Sequence, residues 1–408
     1  MPPTLQNRIS PDVFIHLHTN TTPNGSSDTH LIYLLPGNPG LCSYYHTFLT
    51  LLTQSSPAAA QFAIVGMSLP GFESAPDDLD WNDEDILFPD EIATKRSAKR
   101  RGDGGEKGWW GLEEVVEVTT ARIDEVVRRL QAGLRGRKVR VTLMGHSLGT
   151  WLSLEVVRRV SERQRQQRGG NEREDDGSGE ADEDDEPTED STGVLGVGKA
   201  GGKRKRTGST GTDWEAEACV ALAPTIIELA KSSSGVKVAP LLATFTFLPW
   251  LLQSLASGLT WASRREMIEW IVARFLGLSP NNPGVATTAR FLQSPSAVRQ
   301  SLELAKQELV SISKDDWGPE VWGTGPALQM GGLEQTQSPK LFFLFAQTDH
   351  WIADSTRDTI LRGRARHDGH GAFVVDEKHG LKHAWCLEQN QAVVDYVKPW
   401  LEDIARRQ

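Results

Sequence analysis

Cysteine is scarce in this sequence, which has three in 408 residues: Cys42, Cys219 and Cys386. Their odd number and wide spacing argue against a disulfide framework, and the spacing does not match that of zinc ligands. Longer recognition patterns are missing as well, since there is no nucleotide-binding glycine fingerprint, no Walker loop and no metal-ligand cluster. The sequence therefore predicts a protein of a reducing compartment that uses no cofactor and no metal.

A secretory signal is also missing from the first ten residues, because no apolar run follows a basic start there. We therefore expect the protein on the cytosolic side of membranes. The composition, 38% hydrophobic and 24% charged, excludes a wholly disordered chain and a collagen-like fibre. Since α/β folds often use about 250 residues or more in one piece, we expect one domain with insertions.

Negative charge is concentrated in one segment. The formal net charge is −10, but residues 172–190 contain 12 acidic residues and a single basic one, Arg173. The rest of the chain is close to neutral, and its charge indicates no partner. A basic cluster at residues 203–206 could act as a nuclear localisation signal or contact nucleic acid. We expect no nucleic acid as a partner, because the cluster adjoins the acidic run and lacks interleaved aromatic residues for base stacking.

Short apolar runs with strand character recur along the chain, at residues 13–18, 31–35, 62–67, 139–144, 218–223, 341–346 and 372–375. Most are almost continuously apolar, which is typical of strands buried on both faces of a parallel sheet. Amphipathic segments lie between or after them, at residues 113–134, 151–165 and 385–404. The alternation predicts an α/β fold with a mostly parallel central sheet flanked by helices.

Two stretches lack the apolar periodicity of packed structure, residues 77–108 and about 163–212. The first predicts a surface insertion, and the second, acidic and rich in Gly and Ser, predicts disorder. The predicted organisation is residues 1–160 as the N-terminal half of the core, 161–213 as the disordered insertion, 214–225 as a core strand, 226–335 as a hydrophobic helical cap or membrane-association region, and 336–408 as the C-terminal part of the core.

Residues 238–263 contain no charged side chain over 26 positions. A spanning helix needs about 20 apolar residues, so the length is sufficient. Pro240, Pro249 and Gly258 interrupt the stretch, however, and proline inside a helix kinks or breaks it. A bent hairpin is therefore favoured over a span. Two interpretations of the hairpin stay open: a pair of cap helices packed over the body, or a monotopic insertion into a lipid surface.

A serine lies where a strand should turn into a helix. The segment Gly145-His146-Ser147-Leu148-Gly149 directly follows the strand at 139–144 and precedes a helical pattern. This is the G-x-S-x-G pattern of a nucleophile elbow, in which the glycines let strand and helix approach without a Cβ clash and the serine hydroxyl stands clear. Ser147 is therefore the predicted nucleophile. The alternative is an ordinary serine in a glycine-bounded turn.

A serine of ordinary pKa needs an imidazole to take its proton and a carboxylate to orient that imidazole, and in this fold they follow in the order Ser, Asp or Glu, His. Asp349 follows the strand at 341–346 within three residues, at the carboxyl end where catalytic groups collect in open α/β sheets. Asp349 is the predicted acid. Asp354 and Asp358 are alternatives, although Asp354 is also placed to cap a helix starting near Ser355.

The predicted general base is His383, which follows the last strand and immediately precedes the final helix. His379 lies in the same loop and is its competitor. We interpret His350, His367 and His370 as solvated loop histidines.

Acyl transfer also requires backbone N–H donors for the oxyanion, and one comes from the residue after the nucleophile. That residue is Leu148. The second should come from the loop after an early strand, here Pro36-Gly37-Asn38-Pro39-Gly40. Because Pro39 has no N–H, Asn38 is the predicted donor. The alternative is a plain turn without a catalytic part.

Together these residues resemble a known family. The shared pattern is Pro36-Gly37-Asn38-Pro39-Gly40 with Tyr44-Tyr45 and Phe48, then Gly145-His146-Ser147-Leu148-Gly149, Ala223-Pro224-Thr225, Asp349-His350-Trp351 and His383-Ala384-Trp385. In order and spacing it resembles the lipid droplet-associated hydrolase family of α/β-hydrolases. The resemblance covers nearly the whole chain. The sequence departs from the family in Trp385, where phenylalanine is expected, and in the acidic insertion after the nucleophile helix.

The resemblance implies an α/β-hydrolase fold and a serine hydrolase with Ser147, Asp349 and His383 at the triad positions. It also implies residence on the lipid droplet and endoplasmic reticulum surface, with the hydrophobic segment at about 238–263 used for droplet targeting. Neutral lipid esters, including sterol esters, are the substrates that it suggests. Acyl transfer to an alcohol by the same triad, and a droplet scaffold with little activity, remain as alternatives.

Overall fold

The computed structural model describes residues 5–17, 29–55, 61–74, 81–101, 108–133, 138–175, 214–245, 247–262, 264–323, 338–364 and 371–406. Its strands are β1 (Arg8–Ile9), β2 (Val13–His16), β3 (Thr29–Leu35), β4 (Phe62–Met67), β5 (Val139–His146), β6 (Glu215–Leu222), β7 (Lys340–Phe345) and β8 (Gly371–Val375). They form one sheet in the order β1-β2-β4-β3-β5-β6-β7-β8. Pairing is antiparallel at β1–β2 and β2–β4 and parallel from β4 through β8.

The helices are α1 (His46–Gln54), α2 (Trp81–Leu87), α3 (Asp90–Arg101), α4 (Leu112–Gly133), α5 (Leu148–Asp175), α6 (Gly235–Thr244), α7 (Leu248–Ala262), α8 (Arg265–Leu276), α9 (Pro283–Leu292), α10 (Pro295–Ser311), α11 (Pro319–Trp322), α12 (Asp354–Arg364) and α13 (Asn390–Ala405). Short 3₁₀ turns lie at Cys42–Tyr45, Leu229–Lys231 and Trp385–Leu387.

Helices cover both faces of the sheet, as the nearly continuous apolar strands require. On β3, Leu31 and Tyr33 pack in one core cluster with α4 and α5. The alternate residues Ile32 and Leu34 pack in a second cluster with α1 and α13. Successive side chains of a strand point to opposite faces, so β3 contributes to both clusters. This three-layer arrangement is the α/β-hydrolase fold, and the predicted fold class is confirmed.

The predicted strand at 62–67 coincides with β4, and the other predicted strands differ from the observed ones by one to three residues at one or both ends. The short edge strand β1 escaped prediction because its two residues carry no apolar pattern. The largest difference is in α5, which continues to Asp175 where disorder was expected from residue 161. Within this stretch Glu162 pairs with Arg158 of the preceding turn, and Arg163 pairs with Asp124 of α4. Such ion pairs support a helix without an apolar stripe, so the start of the predicted disorder at 161 was wrong.

The rest of that insertion, residues 176–213, lies outside the described residues, and so does the basic cluster at 203–206. The other predicted insertion, 77–108, contains α2 and α3. Ile86, Leu87 and Phe88 of this segment are buried in the main core. The segment therefore contributes to the core as well as to the surface. The sequence did not indicate this, because three adjacent apolar residues show no helical or strand periodicity.

Helices α6 to α11 lie between β6 and β7 and form the region that we call the cap. The hydrophobic segment predicted as a bent hairpin contains α6 and α7, and Pro249 lies in the first turn of α7, where proline is tolerated. Among the described residues, no single helix is both long and apolar enough to cross a bilayer. Helix α6 and residues 248–258 of α7 meet that criterion only as a pair, bent by 94°.

Candidate active site

Ser147 occupies a strained turn between β5 and α5. Its φ of 51° lies in the left-handed region that non-glycine residues rarely adopt. A Cβ on Gly145 would come within 2.3 Å of the Gly149 carbonyl oxygen, and one on Gly149 within 2.0 Å of the Leu35 carbonyl oxygen. Only glycine fits at these two positions. The turn leaves Ser147 partly exposed while its neighbours are buried.

Ser147, His383 and Asp349 meet above the carboxyl ends of the parallel strands. Ser147 Oγ lies 2.8 Å from His383 Nε2, and His383 Nδ1 lies 2.7 Å from Asp349 Oδ2. The three side chains come from loops after β5, β8 and β7, so the parallel sheet brings together residues that are far apart in sequence. The structure thus places all three predicted triad residues at one site.

The hydrogen bonds assign the tautomer of His383. An ionised carboxylate can only accept, so Nδ1 donates to Asp349 and Nε2 accepts from the Ser147 hydroxyl. Burial raises the pKa of Asp349, but its hydrogen bond to His383, the charge of His383 and the Trp351 amide together hold that pKa below its ordinary value. Asp349 is therefore ionised at neutral pH. The arrangement can accept a proton from the serine and stabilise the resulting imidazolium.

The two alternative acids, Asp354 and Asp358, form ion pairs outside the site. Asp354 begins α12, and Arg357 pairs with both Asp354 and Asp358, at 3.0 and 2.9 Å. The competing histidine, His379, packs its ring against Tyr396. Within the described residues these three candidates do not contact Ser147.

His350 is exposed in its loop, as expected, but its ring also lies beside the predicted base. Its ring centroid is 5.8 Å from that of His383, and burial, with the charge of His383, lowers its pKa. Its carbonyl accepts hydrogen bonds from the Ser234 amide and the Ser233 hydroxyl at the start of α6. His350 thus links the acid loop to the cap. His367 and His370 lie outside the described residues.

The loop after β3 lies directly beside the nucleophile. A Cβ on Gly37 would come within 3.0 Å of Ser147 Cβ. The Gly37 N–H already donates to Tyr45 Oη at 2.9 Å, so this amide is not available to an oxyanion. Leu148 is the first residue of α5, so its N–H has no intrahelical acceptor. Among the described residues, neither predicted oxyanion donor, the Asn38 amide or the Leu148 amide, has a hydrogen-bond acceptor.

A buried relay that the sequence did not reveal connects this loop to the base. Tyr45 Oη lies 2.7 Å from His146 Nδ1, and His146 Nε2 lies 2.8 Å from the His383 carbonyl oxygen. Burial lowers the pKa of His146 to about 3, so its ring is neutral and carries one N–H. Because a carbonyl only accepts, Nε2 donates to His383 and Nδ1 accepts from Tyr45. The relay thus runs from Gly37 through Tyr45 and His146 to His383.

Asp376, at the end of β8, organises the loop that carries His383. It accepts hydrogen bonds from the amides of Leu381 and His379, at 2.6 and 3.0 Å, and from the Tyr396 hydroxyl at 2.9 Å. Burial opposes ionisation of Asp376, but these donors hold its pKa below the ordinary value. Its position just after the last strand was the one available signal in the sequence.

Trp385, the position where the sequence departs from the family pattern that it resembles, is fully buried behind the base. Its ring makes edge contacts with Phe48, His146 and Tyr45 at centroid distances of 4.9, 5.2 and 5.9 Å. The larger indole therefore fills space behind the relay. Groups of three or more His, Cys, Asp or Glu placed to hold a metal ion do not occur in the described part of the chain.

The cap exposes many large apolar side chains. Apart from Ile9 and Val310, every large exposed apolar side chain of the described residues lies between residues 236 and 276. We call these side chains the apolar surface: Val236, Leu241, Phe245, Phe247, Trp250, Leu251, Leu255, Met267, Trp270, Ile271, Phe275 and Leu276. Exposure of this extent is unusual on a protein without a partner.

Helix α8 extends this surface beyond the predicted segment at 238–263. Ile268, Val272 and Ala273 are buried, whereas Trp270 is 65% and Phe275 87% exposed. The exposed residues recur at helical spacing and form a second apolar stripe. The stripe was missed because charged residues interrupt the sequence of α8, so that no uncharged run marks it.

Residues 28–386 match the model of a family described as lipid-droplet associated hydrolase. A lipid droplet-associated hydrolase of Gallus gallus is 21% identical over 374 residues, covering 91% of this chain and 85% of the relative. One of Mus musculus is 22% identical over 379 residues, covering 93% and 86%.

Solved structures with an overall likeness include a carboxylesterase of Nitrososphaera gargenis, with 12% identity, a TM-score of 0.45 and 100% of both chains covered. Another is a peroxisomal α/β-hydrolase of Saccharomyces cerevisiae, with 7% identity, a TM-score of 0.45 and 97% and 82% of the chains covered.

Proposed function

Since the chain belongs to the lipid droplet-associated hydrolase family, we propose that it is a serine ester hydrolase acting on neutral lipid esters, sterol esters among them, at lipid droplet surfaces. The observation that carries this proposal is the pair of hydrogen bonds that joins Ser147 to His383 and His383 to Asp349, at 2.8 and 2.7 Å. A hydroxyl, imidazole and carboxylate in this order constitute the machinery of acyl transfer through a covalent intermediate.

The first half of the reaction acylates the serine. Ser147 Oγ attacks the ester carbonyl carbon while His383 Nε2 takes the hydroxyl proton, and the amides of Asn38 and Leu148 bind the oxyanion. The carbon–oxygen bond to the alcohol then breaks, and His383 returns the proton to the leaving alkoxide. The alcohol departs and leaves an acyl-serine. Asp349 keeps Nδ1 protonated throughout, so that Nε2 is always the catalytic nitrogen.

The second half regenerates the enzyme. A water molecule attacks the acyl carbonyl, and His383 takes one of its protons. Collapse of the second tetrahedral intermediate breaks the bond to Ser147 Oγ, which receives that proton, and the carboxylic acid leaves. Water and an alcohol compete for the same acyl-serine, so the choice of acceptor would decide between hydrolysis and transfer.

We place the apolar surface against the lipid monolayer of droplets and of the endoplasmic reticulum, on the cytosolic side. Two facts support this placement. The relatives are named for lipid droplets, and aromatic side chains are exposed just before α7 and on α7 and α8: Phe247, Trp250 and Trp270 are 55%, 62% and 65% exposed. Amphipathic helices of this kind bury about 5–10 Å into the boundary between headgroups and acyl chains.

The hydrolase proposal is tested by comparing wild type with Ser147→Ala. Hydrolysis is measured on a soluble short-chain ester and on triacylglycerol and sterol ester emulsions, together with labelling by a serine-reactive fluorophosphonate. We expect wild type to hydrolyse and to label, and Ser147→Ala to lose about 10⁴-fold or more of the activity.

Ser153→Ala is the matched control, because Ser153 lies on the same helix and bonds only to the Gly149 carbonyl among the described residues. It should hydrolyse and label like wild type. Folded wild type that binds droplets but neither labels nor hydrolyses would contradict the proposal and favour a scaffold. Esters formed in the presence of an added alcohol would instead indicate acyl transfer.

A further inference from the structure

One helix of the cap satisfies the whole carboxamide of Asn38. Asn38 Nδ2 donates to the Ser301 carbonyl and to Glu308 Oε1, both at 2.8 Å. Ser301 Oγ donates to Asn38 Oδ1 at 2.7 Å. Ser301 and Glu308 lie about two turns apart on α10, so both ends of the carboxamide are held by a single rigid element.

Glu308 is an unusual residue for the interior of a cap. Its side chain is 6% exposed, and within the described residues neither a lysine nor an arginine pairs with it. Burial raises its pKa to about 7, against the opposing effect of the Asn38 hydrogen bond. A buried acid without a cation destabilises the fold unless it makes a compensating contact. The contact that the described residues supply is the one with Asn38.

The backbone on the other side of Asn38 is held independently. The Gly37 N–H donates to Tyr45 Oη, which belongs to the body of the protein and not to the cap. The peptide plane between Gly37 and Asn38 thus lies between two anchored groups, the Gly37 N–H and the Asn38 carboxamide. That plane carries the Asn38 N–H, the amide beside Ser147 without an acceptor among the described residues.

We propose that Ser301 and Glu308 are positioning residues that hold the Asn38 carboxamide so that the Asn38 backbone N–H points at the oxyanion formed on Ser147. They touch neither substrate nor reacting atoms. The inference rests on the proposed function and adds to it that a helix of the cap completes the oxyanion hole. Because α10 also packs against α6 and α7, the residues that hold Asn38 are on the structure that carries the apolar surface.

The test uses the full-length protein and two substitutions of Glu308. Glu308→Gln keeps a carbonyl oxygen where Oε1 accepts from Asn38, whereas Glu308→Leu removes the acceptor. We measure kcat and KM on a soluble short-chain ester and the rate of fluorophosphonate labelling of Ser147. Glu308→Leu should lower kcat and the labelling rate by about 10- to 100-fold with KM unchanged, since small misplacements of a catalytic group have effects of this size. Glu308→Gln should retain most of both rates.

Gln300→Leu is the matched control. Gln300 lies on the same helix, is equally buried, and bonds to the amide and carbonyl of Trp110 and not to Asn38. It should lower the thermal midpoint without slowing labelling. If Glu308→Leu does not fold, Ser301→Ala takes its place, because it deletes the hydrogen bond to Asn38 Oδ1 at a half-buried position; it should slow labelling in the same direction.

The outcomes separate the inference from the proposed function. Active wild type with Glu308→Leu or Ser301→Ala labelling at the wild-type rate would overturn the inference alone. A loss in Glu308→Leu that Glu308→Gln or Gln300→Leu shares in full would also overturn it, because the effect would then be one of stability. Wild type no faster than Ser147→Ala would overturn the proposed function and this inference with it.

Discussion

The inner and outer sides of the cap differ in the side chains that they present. The inner side makes polar contacts with three loops of the site, those after β3, β7 and β8. Asn282 Nδ2 on the cap donates to the Leu387 carbonyl in the loop after His383, at 2.9 Å. The Ser234 amide binds the carbonyl next to Asp349, and α10 holds Asn38. The outer side presents the apolar surface.

The difference corresponds to two kinds of binding. Hydrogen bonds are directional, so the inner side can fix the positions of loops to within a few tenths of an ångström. Burial of apolar area is non-directional, so the outer side suits a fluid surface whose molecules hold no fixed positions. The cap therefore joins a precise contact with the site to a tolerant contact with lipid.

The largest effect is expected on the outer side, from Trp270→Asp combined with Phe275→Asp. Burying a large apolar side chain contributes about 1.5–3 kcal/mol, so loss of both should lower the affinity for triolein droplets coated with phosphatidylcholine by about 100- to 10,000-fold. Hydrolysis of a soluble ester should be unchanged, because neither residue contacts the site. Flotation of the droplets measures the first quantity and a colorimetric assay the second.

The matched control is Ile9→Asp combined with Val310→Asp. These residues are 60% and 73% exposed and are the large exposed apolar side chains of the described residues outside the apolar surface. The control should bind droplets like wild type. Equal losses in the two double variants would mean that total hydrophobicity, and not the apolar surface, determines binding.

The two sides also differ in how far the sequence predicts them. Ser147, Asp349 and His383 follow strands directly, and a parallel sheet gathers the carboxyl ends of its strands, so their meeting follows from topology. Residues 238–263 are visible as an uncharged run. The stripe of Trp270 and Phe275 is not, because charged residues on the other faces of α8 hide it.

The contacts of the inner side could not be predicted, for a different reason. Asn38 and Glu308 are 270 positions apart, and neither lies in a pattern that indicates a partner. Which polar residues of a cap meet a loop depends on how the cap packs, and packing is set by many apolar contacts together. The same holds for Tyr45 and His146, whose hydrogen bond follows from the approach of a 3₁₀ turn to β5.

A change confined to the inner side should appear in the pH dependence of stability. The pKa of Glu308 is raised to about 7 by burial, from an ordinary value of 4.5. The folded state therefore binds the Glu308 proton more tightly than the unfolded state does. Protonation of Glu308 stabilises the fold fully below about pH 4.5, and this stabilisation is lost as pH rises through 7. A shift of this size corresponds to roughly 3 kcal/mol in the free energy of unfolding.

Urea unfolding of wild type and Glu308→Gln at pH 5 and pH 8 measures this effect. Since glutamine does not titrate, the stability of the variant relative to wild type should rise between the two pH values by up to roughly 3 kcal/mol. Droplet binding should be the same for both proteins at each pH. Parallel stability profiles would show that the Glu308 carboxyl is solvated in the folded state, and would weaken the argument for its contact with Asn38.

The smallest effect is expected from Tyr45→Phe. The loop after β3 is held by the cap through Asn38 and by the body through Tyr45, and this substitution removes the second contact. The phenyl ring keeps the packing against Trp385, but the Gly37 N–H loses its acceptor and His146 Nδ1 its donor. We expect the labelling rate of Ser147 to fall about tenfold at unchanged KM, since α10 still holds the carboxamide of Asn38.

Tyr44→Phe is the matched control, because the neighbouring hydroxyl bonds to Thr288 on α9 and lies outside the relay. If the labelling rate falls as much in Tyr45→Phe as in Glu308→Leu, body and cap contribute equally to positioning the Asn38 amide. If it does not fall in Tyr45→Phe, the cap alone positions Asn38.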